Sequence, residues 1–159
     1  MSDTLTDLDR LIVTDEVRQL MAQYVYHADH KEFDKLARLF APTATFSIYD
    51  AKGALVLEMT GPRQIEEIIT SSVGASSAVH HLFSFVTDVH SPTSASSVIN
   101  MEDMIDPPEG EAPDAPLEEG RPFRSMHGYG HYRGEFAKAD GVWRIQKFAQ
   151  TRIKVDVTM

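Results

Sequence analysis

The sequence predicts an α+β fold: one strongly curved, mainly antiparallel sheet wrapped around three to four helices that come from the N-terminal part of the chain. Three observations predict it. Apolar residues recur at helical spacing up to about residue 40 and again from Ile65 to Ile69. From Ala78 onward, four long segments alternate in the way of strands. Helices first and a meander afterwards put the helices on one face of the sheet, and a strongly curved sheet closed by helices is a cone with an internal pocket.

Leu5, Leu8, Leu11 and Ile12 suggest a short N-terminal helix or a packed arm over residues 1–13. Thr14 is a candidate cap for the long helix, with Asp15 and Glu16 in its first turn, where the dipole favours acid. Val17, Leu20, Met21, Tyr24 and Val25 form its apolar stripe, and it runs to about Asp29, where HKEFD breaks it. Asp34 can cap a shorter helix carrying Leu36, Leu39 and Phe40, which Pro42 ends. TATFSIYD alternates as a strand and pairs with Leu55–Met59 across the DAKG turn. Gly61-Pro62 opens a third helix with Ile65, Ile68 and Ile69 inward. AVHHLFSFVTDV, SASSVINMEDMI, SMHGYGHYRGEFAK and VWRIQKFAQTRIKVDV are the later strands, the last two joined by the tight turn Ala139-Asp140-Gly141. An acidic, Pro-rich stretch, residues 107–122, reads as an exposed loop.

The 159 residues suffice for a single domain, 1–159, with a sizeable core. No apolar run approaches the roughly 20 residues that span a bilayer. The acidic N-terminus does not read as a signal peptide, so the expected compartment is the cytoplasm. The absence of cysteine excludes disulfides and thiolate metal sites. A net charge of −9 argues against nucleic acid or an anionic membrane as partner.

Asp29 is the first candidate for chemistry. It continues the apolar stripe, at a helix C-terminus, where both the dipole and desolvation disfavour a carboxylate. It either caps the HKEFD turn, half-exposed, or accepts a hydrogen bond from a histidine. Two histidines are available in the first long strand: His81 shares a face with Val79, Phe83 and Phe85, and His80 with Leu82, Ser84 and Val86. A histidine held by a carboxylate is fixed in one tautomer and made more basic, which suits proton abstraction. In SMHGYGHYRGEF one face carries Met126, Gly128, Gly130, Tyr132, Gly134 and Phe136. The glycines either leave room above the sheet or mark bulges. The other face carries His127, Tyr129, His131 and Arg133, without the spacing of a metal site. No nucleophile or phosphate-loop motif occurs, so neither a cofactor nor a metal is expected.

EVRQLMAQYVYHADHKEFDKLARLFAPTATF combines a helix bearing an aromatic residue, an Asp five positions later, a polar break, an LxxLF helix and a strand. With the later DGVW, this resembles the SnoaL-like proteins of the nuclear-transport-factor-2-like superfamily along nearly the whole chain. The resemblance implies a cystatin-like α+β cone with a mixed sheet. It is nearest in look to scytalone dehydratase, hexachlorocyclohexane dehydrochlorinase and bile-acid 7α-dehydratase, which use an Asp–His dyad. Carried over, Asp29 is the dyad acid and His80 the base, with Ser84 four residues on. His81 is the one-residue-slip alternative, favoured by its alternation with the phenylalanines. Tyr24 matches a catalytic pocket tyrosine, and Asp103 and Arg152 match polar substrate-binding positions. Tyr132 faces the pocket if the glycine-lined face is concave. The sequence departs from scytalone dehydratase at Ala28, where that enzyme has a tyrosine, and at Ile48, with Tyr49 expected on the opposite face. These departures imply a substrate other than scytalone.

The resemblance implies a cofactor-independent, dehydratase-like lyase for a small apolar cyclic or polycyclic molecule. The alternatives are an isomerase or polyketide cyclase, or a non-catalytic binding or assembly module of the kind that forms dioxygenase small subunits. It also implies a homodimer or homotrimer, for which Trp143, Ile145 and Val155 are the expected exposed residues.

Overall fold

The structure is a computed structural model, and it describes residues 4–108 and 124–158. The first helix, α1, runs unbroken from Asp7 to Asp29. Its start is fixed by a reciprocal pair at Thr6 and Asp9. The Thr6 hydroxyl accepts from the Asp9 amide at 3.1 Å, and the Asp9 carboxylate accepts from the Thr6 amide at 2.9 Å. Thr14 therefore lies inside the helix rather than at its cap, and the segment read as an arm supplies the opening turns. Leu8, Leu11 and Ile12 in those turns are exposed.

Lys31, at φ 59°, turns the chain into α2 (Phe33–Ala37). Glu32 occupies the N-cap without a side-chain bond, so Asp34 sits in the first turn instead of capping. Strand β1 (Phe40–Tyr49) begins at once. Pro42 is accommodated in it because the register against its parallel neighbour slips between Phe40 and Thr45, where a missing N–H costs no ladder bond. The Asp50 carboxylate then accepts from the amides of Lys52 and Ala54 at 2.9 and 2.8 Å, closing the turn into β2 (Leu55–Thr60). Helix α3 (Gly61–Val73) follows, with Ile65 buried. The strands β3 (Ser77–Ser91), β4 (Ser94–Asp106), β5 (Ser125–Ala139) and β6 (Val142–Thr158) complete the fold. The expected loop at 107–122 lies almost wholly outside the described residues.

The six strands form one sheet in the order β2-β1-β6-β5-β4-β3. Neighbours are antiparallel except β1 and β6, which run parallel, so the sheet is mixed. Its inner face holds Phe46, Ile99, Met101, Tyr132, Phe136, Ile145 and Phe148, all essentially inaccessible. The α1 face carrying Val13, Val17, Leu20, Met21, Tyr24 and Ala28 packs against it. Glu16 ties α1 to the β5–β6 hairpin, accepting from Trp143 Nε1 at 2.6 Å and from Lys138 at 3.0 Å. Trp143 and Ile145 are thus core residues, and Val155 is half-buried. The exposed large apolar residues of β6 are Val142, Ile153 and Val157. Register shifts opposite Tyr129/Gly130 and Glu135/Phe136 change which face successive residues of β6 present.

The glycine-lined face of β5 is the inner one, and its glycines do both things expected of them. A Cβ at Gly134 would strike the Phe136 ring, and one at Gly130 would strike the Thr151 carbonyl oxygen beside the β5–β6 shift. A ring can move, but a paired backbone carbonyl cannot without breaking the ladder. Gly130→Ala is therefore expected to lower the unfolding free energy by about 2 kcal/mol, as overpacking does, measured by urea denaturation.

Candidate active site

The cone encloses a cavity of about 370 Å³ under α3 and the end of α1. Its walls are mainly apolar: Ala28, Phe33, Leu36, Phe46, Ile48, Leu57, Ile68, Ile69, Ile105 and Met126. The polar lining comes from Tyr24, Tyr49, Ser71, Ser72, His80, Asp103, Gln150 and Arg152. A size of this order is typical of small-molecule pockets, about 300–1,000 Å³.

Asp29 does not cap the turn that follows it. Backbone bonds from His30, Lys31 and Glu32 back to Tyr26, Ala28 and His27 do that. Its carboxylate instead reaches β3. Oδ1 accepts from the His80 amide at 3.1 Å and from His80 Nδ1 at 2.7 Å. A carboxylate can only accept, so Nδ1 carries the ring proton and Nε2 keeps its lone pair. The two side chains are 27% and 12% exposed. Asp29 flanks the buried stripe rather than centring it, and this points it at the sheet edge.

A shift in the β3–β4 register between Leu82 and Phe85 settles which histidine turns inward. His80, Leu82, Phe85, Thr87 and Val89 are the half-buried side of β3, while Val79, His81, Phe83 and Val86 are exposed. His81 is accordingly an outer-face residue, bonded to Glu102 at 2.9 Å, and not part of the cavity wall. The alternation with the phenylalanines that favoured it fails at the bulge, because Phe83 and Phe85 fall on opposite faces. Ser84 is exposed as well.

Across the sheet from His80 the register runs to Asp103 on β4 and Gly128 on β5. Arg152 on β6 reaches over Gly128, where a Cβ would collide with both side chains, and grips Asp103 bidentately. Nη1 donates to Oδ1 at 2.5 Å and Nη2 to Oδ2 at 2.8 Å. The pair is 6% and 3% exposed. Gln150, on the same face of β6, turns its amide oxygen to Arg152 and accepts from Nε at 3.1 Å. Asp103 and Arg152 are thus together in the cavity wall, bound first to each other.

Tyr24 lines the cavity, and burial holds its hydroxyl well above the usual tyrosine range. Tyr132 stacks on Phe148 at 4.8 Å and packs edge-on to Tyr24 at 5.6 Å. It lies behind Tyr24 and does not reach the cavity, contrary to the substrate-binding role expected of it. Its hydroxyl, likewise raised by burial, has no well-formed hydrogen bond among the described residues and only a loose approach to Tyr24. Tyr49, expected on the opposite face, joins Ile48 in the lining because the β1–β2 register shifts between them. Gln150 was not singled out from the sequence, although its position two residues before Arg152 put it on the same face. Among the described residues no group of three acidic or histidine side chains could hold a metal. Arg152→Met should cost about 3–5 kcal/mol by stranding a buried carboxylate, and adding Asp103→Leu should recover most of it; urea melts of the single and double variants check this.

No curated protein matches the chain in sequence. Solved structures do match in fold. A type 2 hexachlorocyclohexane dehydrochlorinase, LinA, superposes with a TM-score of 0.76 at 17% identity, over 97% of this chain and 94% of its own. A provisionally assigned scytalone dehydratase from Novosphingobium aromaticivorans gives 0.75 at 17% identity, over 97% and 93%. The β subunit of a provisionally assigned aromatic-ring-hydroxylating dioxygenase from the same organism gives 0.71 at 12% identity, over 91% and 92%. Identities this low speak for the fold alone. The SnoaL-like domain family, however, matches residues 9–149, from the first turn of α1 into the heart of β6. That match spans most of the chain, and the chain belongs to the SnoaL-like domain family.

Proposed function

We propose that this protein is a cofactor-independent lyase, dehydratase-like, acting on a small apolar cyclic molecule. The observation that carries the reading is the 2.7 Å contact between Asp29 and the ring of His80, which lines an apolar cavity. His80 Nε2 takes a proton from the carbon next to a substrate carbonyl, and Asp29 stabilises the imidazolium that forms. The C–C double bond forms as the C–O bond at the neighbouring carbon breaks. The imidazolium returns its proton to the departing hydroxyl, which leaves as water.

Tyr24 serves as a hydrogen-bond donor to the carbonyl. Burial makes its phenolate costly, so it stabilises developing negative charge without surrendering its proton. An isomerase on the same cavity would use the same base without a leaving group. A purely assembling module has no use for an oriented imidazole in a cavity, so the Asp29–His80 contact weighs for catalysis. The dehydrochlorinase and dehydratase folds that this chain resembles weigh the same way.

The test is a panel of alicyclic β-hydroxy ketones followed by mass spectrometry. The expected product is lighter by one water, whereas an isomer of unchanged mass would transfer the assignment to the isomerase. In the reacting pair, His80→Ala should lower kcat by about 10²–10⁴-fold with the fold intact by circular dichroism. Near-full activity in that variant would end the lyase reading.

We further propose a homodimer or homotrimer. Phe83, Val86 and Ile153 leave large apolar side chains exposed, and a second copy would cover them. Sedimentation at micromolar concentration should give two or three times the chain mass, and Phe83→Glu should shift it towards one.

A further inference from the structure

Resting on the reading of Tyr24 as the donor to a substrate oxygen, we propose that Tyr132 is a positioning residue: its buried hydroxyl donates to Tyr24 Oη when Tyr24 donates into the cavity, and the two phenols then act as one donor chain. Tyr24 stands in a cage of rings. Phe40, Phe46, Tyr132 and Phe148 surround it edge-on, at centroid distances of 6.2, 6.4, 5.6 and 5.1 Å. Of the four, only Tyr132 carries a polar atom. Its ring is fully buried and stacks on Phe148 with 25° between the planes, which fixes where the hydroxyl stands.

That hydroxyl has no hydrogen-bond partner among the described residues. An unmade buried donor costs about 1–3 kcal/mol, and a phenylalanine would fill the same space without that cost. The group it approaches is the Tyr24 hydroxyl. A phenol has one proton to donate and lone pairs to receive. Once a ligand oxygen in the cavity accepts from the Tyr24 hydroxyl, the Tyr24 lone pairs are left to the cage, where Tyr132 is the one polar member. Hydrogen bonds in series polarise one another, by about 10–30% per bond. Negative charge growing on the substrate oxygen is then shared by two phenols. Neither gives up its proton, because burial holds both hydroxyls well above the usual tyrosine range. At Tyr24 burial dominates, and the Tyr132 hydroxyl acts in the opposite sense, as a donor facing the Tyr24 oxygen does.

The test uses 2-tetralone as the probe and reads its carbonyl band in the bound state by infrared difference spectroscopy. Binding to the unmodified protein should displace the band to lower frequency. Tyr24→Phe should remove most of that displacement, and Tyr132→Phe should reduce it by about 10–30%. In the Tyr24→Phe background, adding Tyr132→Phe should change nothing further, which a merely structural role for Tyr132 would not produce. Urea denaturation of Tyr132→Phe should show stability unchanged or raised, since no bond is lost. In the unmodified protein, proton NMR at saturating 2-tetralone should show two hydroxyl resonances moved downfield, a result that needs no variant. The proposal is overturned if 2-tetralone does not bind, if Tyr132→Phe leaves the band in place or acts equally without Tyr24, if it markedly destabilises the fold, or if only one hydroxyl resonance moves. None of these readings depends on turnover, so loss of the lyase assignment through His80→Ala is a separate outcome.

Discussion

The carboxylate of Asp29 is the joint on which the site depends. Among the described residues β3 is the last strand of the sheet, so the backbone donors on its outer side have no neighbouring strand there. Asp29 supplies an acceptor for one of them, the His80 amide, and the same oxygen holds the His80 ring. One interaction therefore docks the C-terminal end of α1 onto the sheet edge and orients the imidazole. The unfavourable helix-end position is offset by these two donors, since hydrogen bonds to a charged group are worth about 1.5–3 kcal/mol each. Removing the carboxylate would loosen the edge and free the ring together.

From this joint a polar row crosses the floor of an otherwise apolar cavity: His80, Asp103, the gap at Gly128, and the side chains of Arg152 and Gln150. Buried ion pairs rarely add net stability compared with apolar residues of the same volume. The pair also constrains β5, where any side chain at 128 would strike it. A fold under pressure for stability alone would fill this floor with leucine and valine. Retention of a fully bonded row instead fits a cavity whose contents must be oriented.

Much of this was legible in the chain. The long apolar stripe, the hairpin at DAKG and the four alternating segments each report a local period, and each became the expected element. What failed were features set by one residue's worth of slippage. A bulge between Leu82 and Phe85 put Phe83 and Phe85 on opposite faces and removed the argument for His81. Another between Ile48 and Tyr49 turned both inward. Two shifts along β5–β6 hid Trp143 and Ile145. Period-2 reasoning carries no information about where an extra residue enters a strand, because the bulge is decided by the partner strand's geometry. The start of α1 was missed for a different reason: Thr14 with its acidic neighbours looks as good a cap as Thr6. Only the Thr6–Asp9 geometry distinguishes them. Tyr132 was placed on the correct face but at the wrong depth, since a ring packed behind Tyr24 shares its parity without reaching the cavity.

The charge arrangement also limits where chemistry can occur within the cavity. Arg152 and Asp103 neutralise each other, and Asp29 stands behind His80, so in the proposed reaction a proton moved to the ring would create its new positive charge beside a waiting carboxylate. The matching negative charge on the proposed substrate would then settle on an oxygen. Near Asp103 it would be repelled, and against the aliphatic wall of Ile68, Ile69 and Ile105 it would be unsolvated. The Tyr24 hydroxyl is a donor that burial keeps protonated, and it projects from α1 five residues before Asp29. In the proposed reaction the carbonyl would accordingly be directed towards Tyr24. The apolar walls make that direction matter, because in a site of low dielectric a misplaced charge costs far more than it would in water.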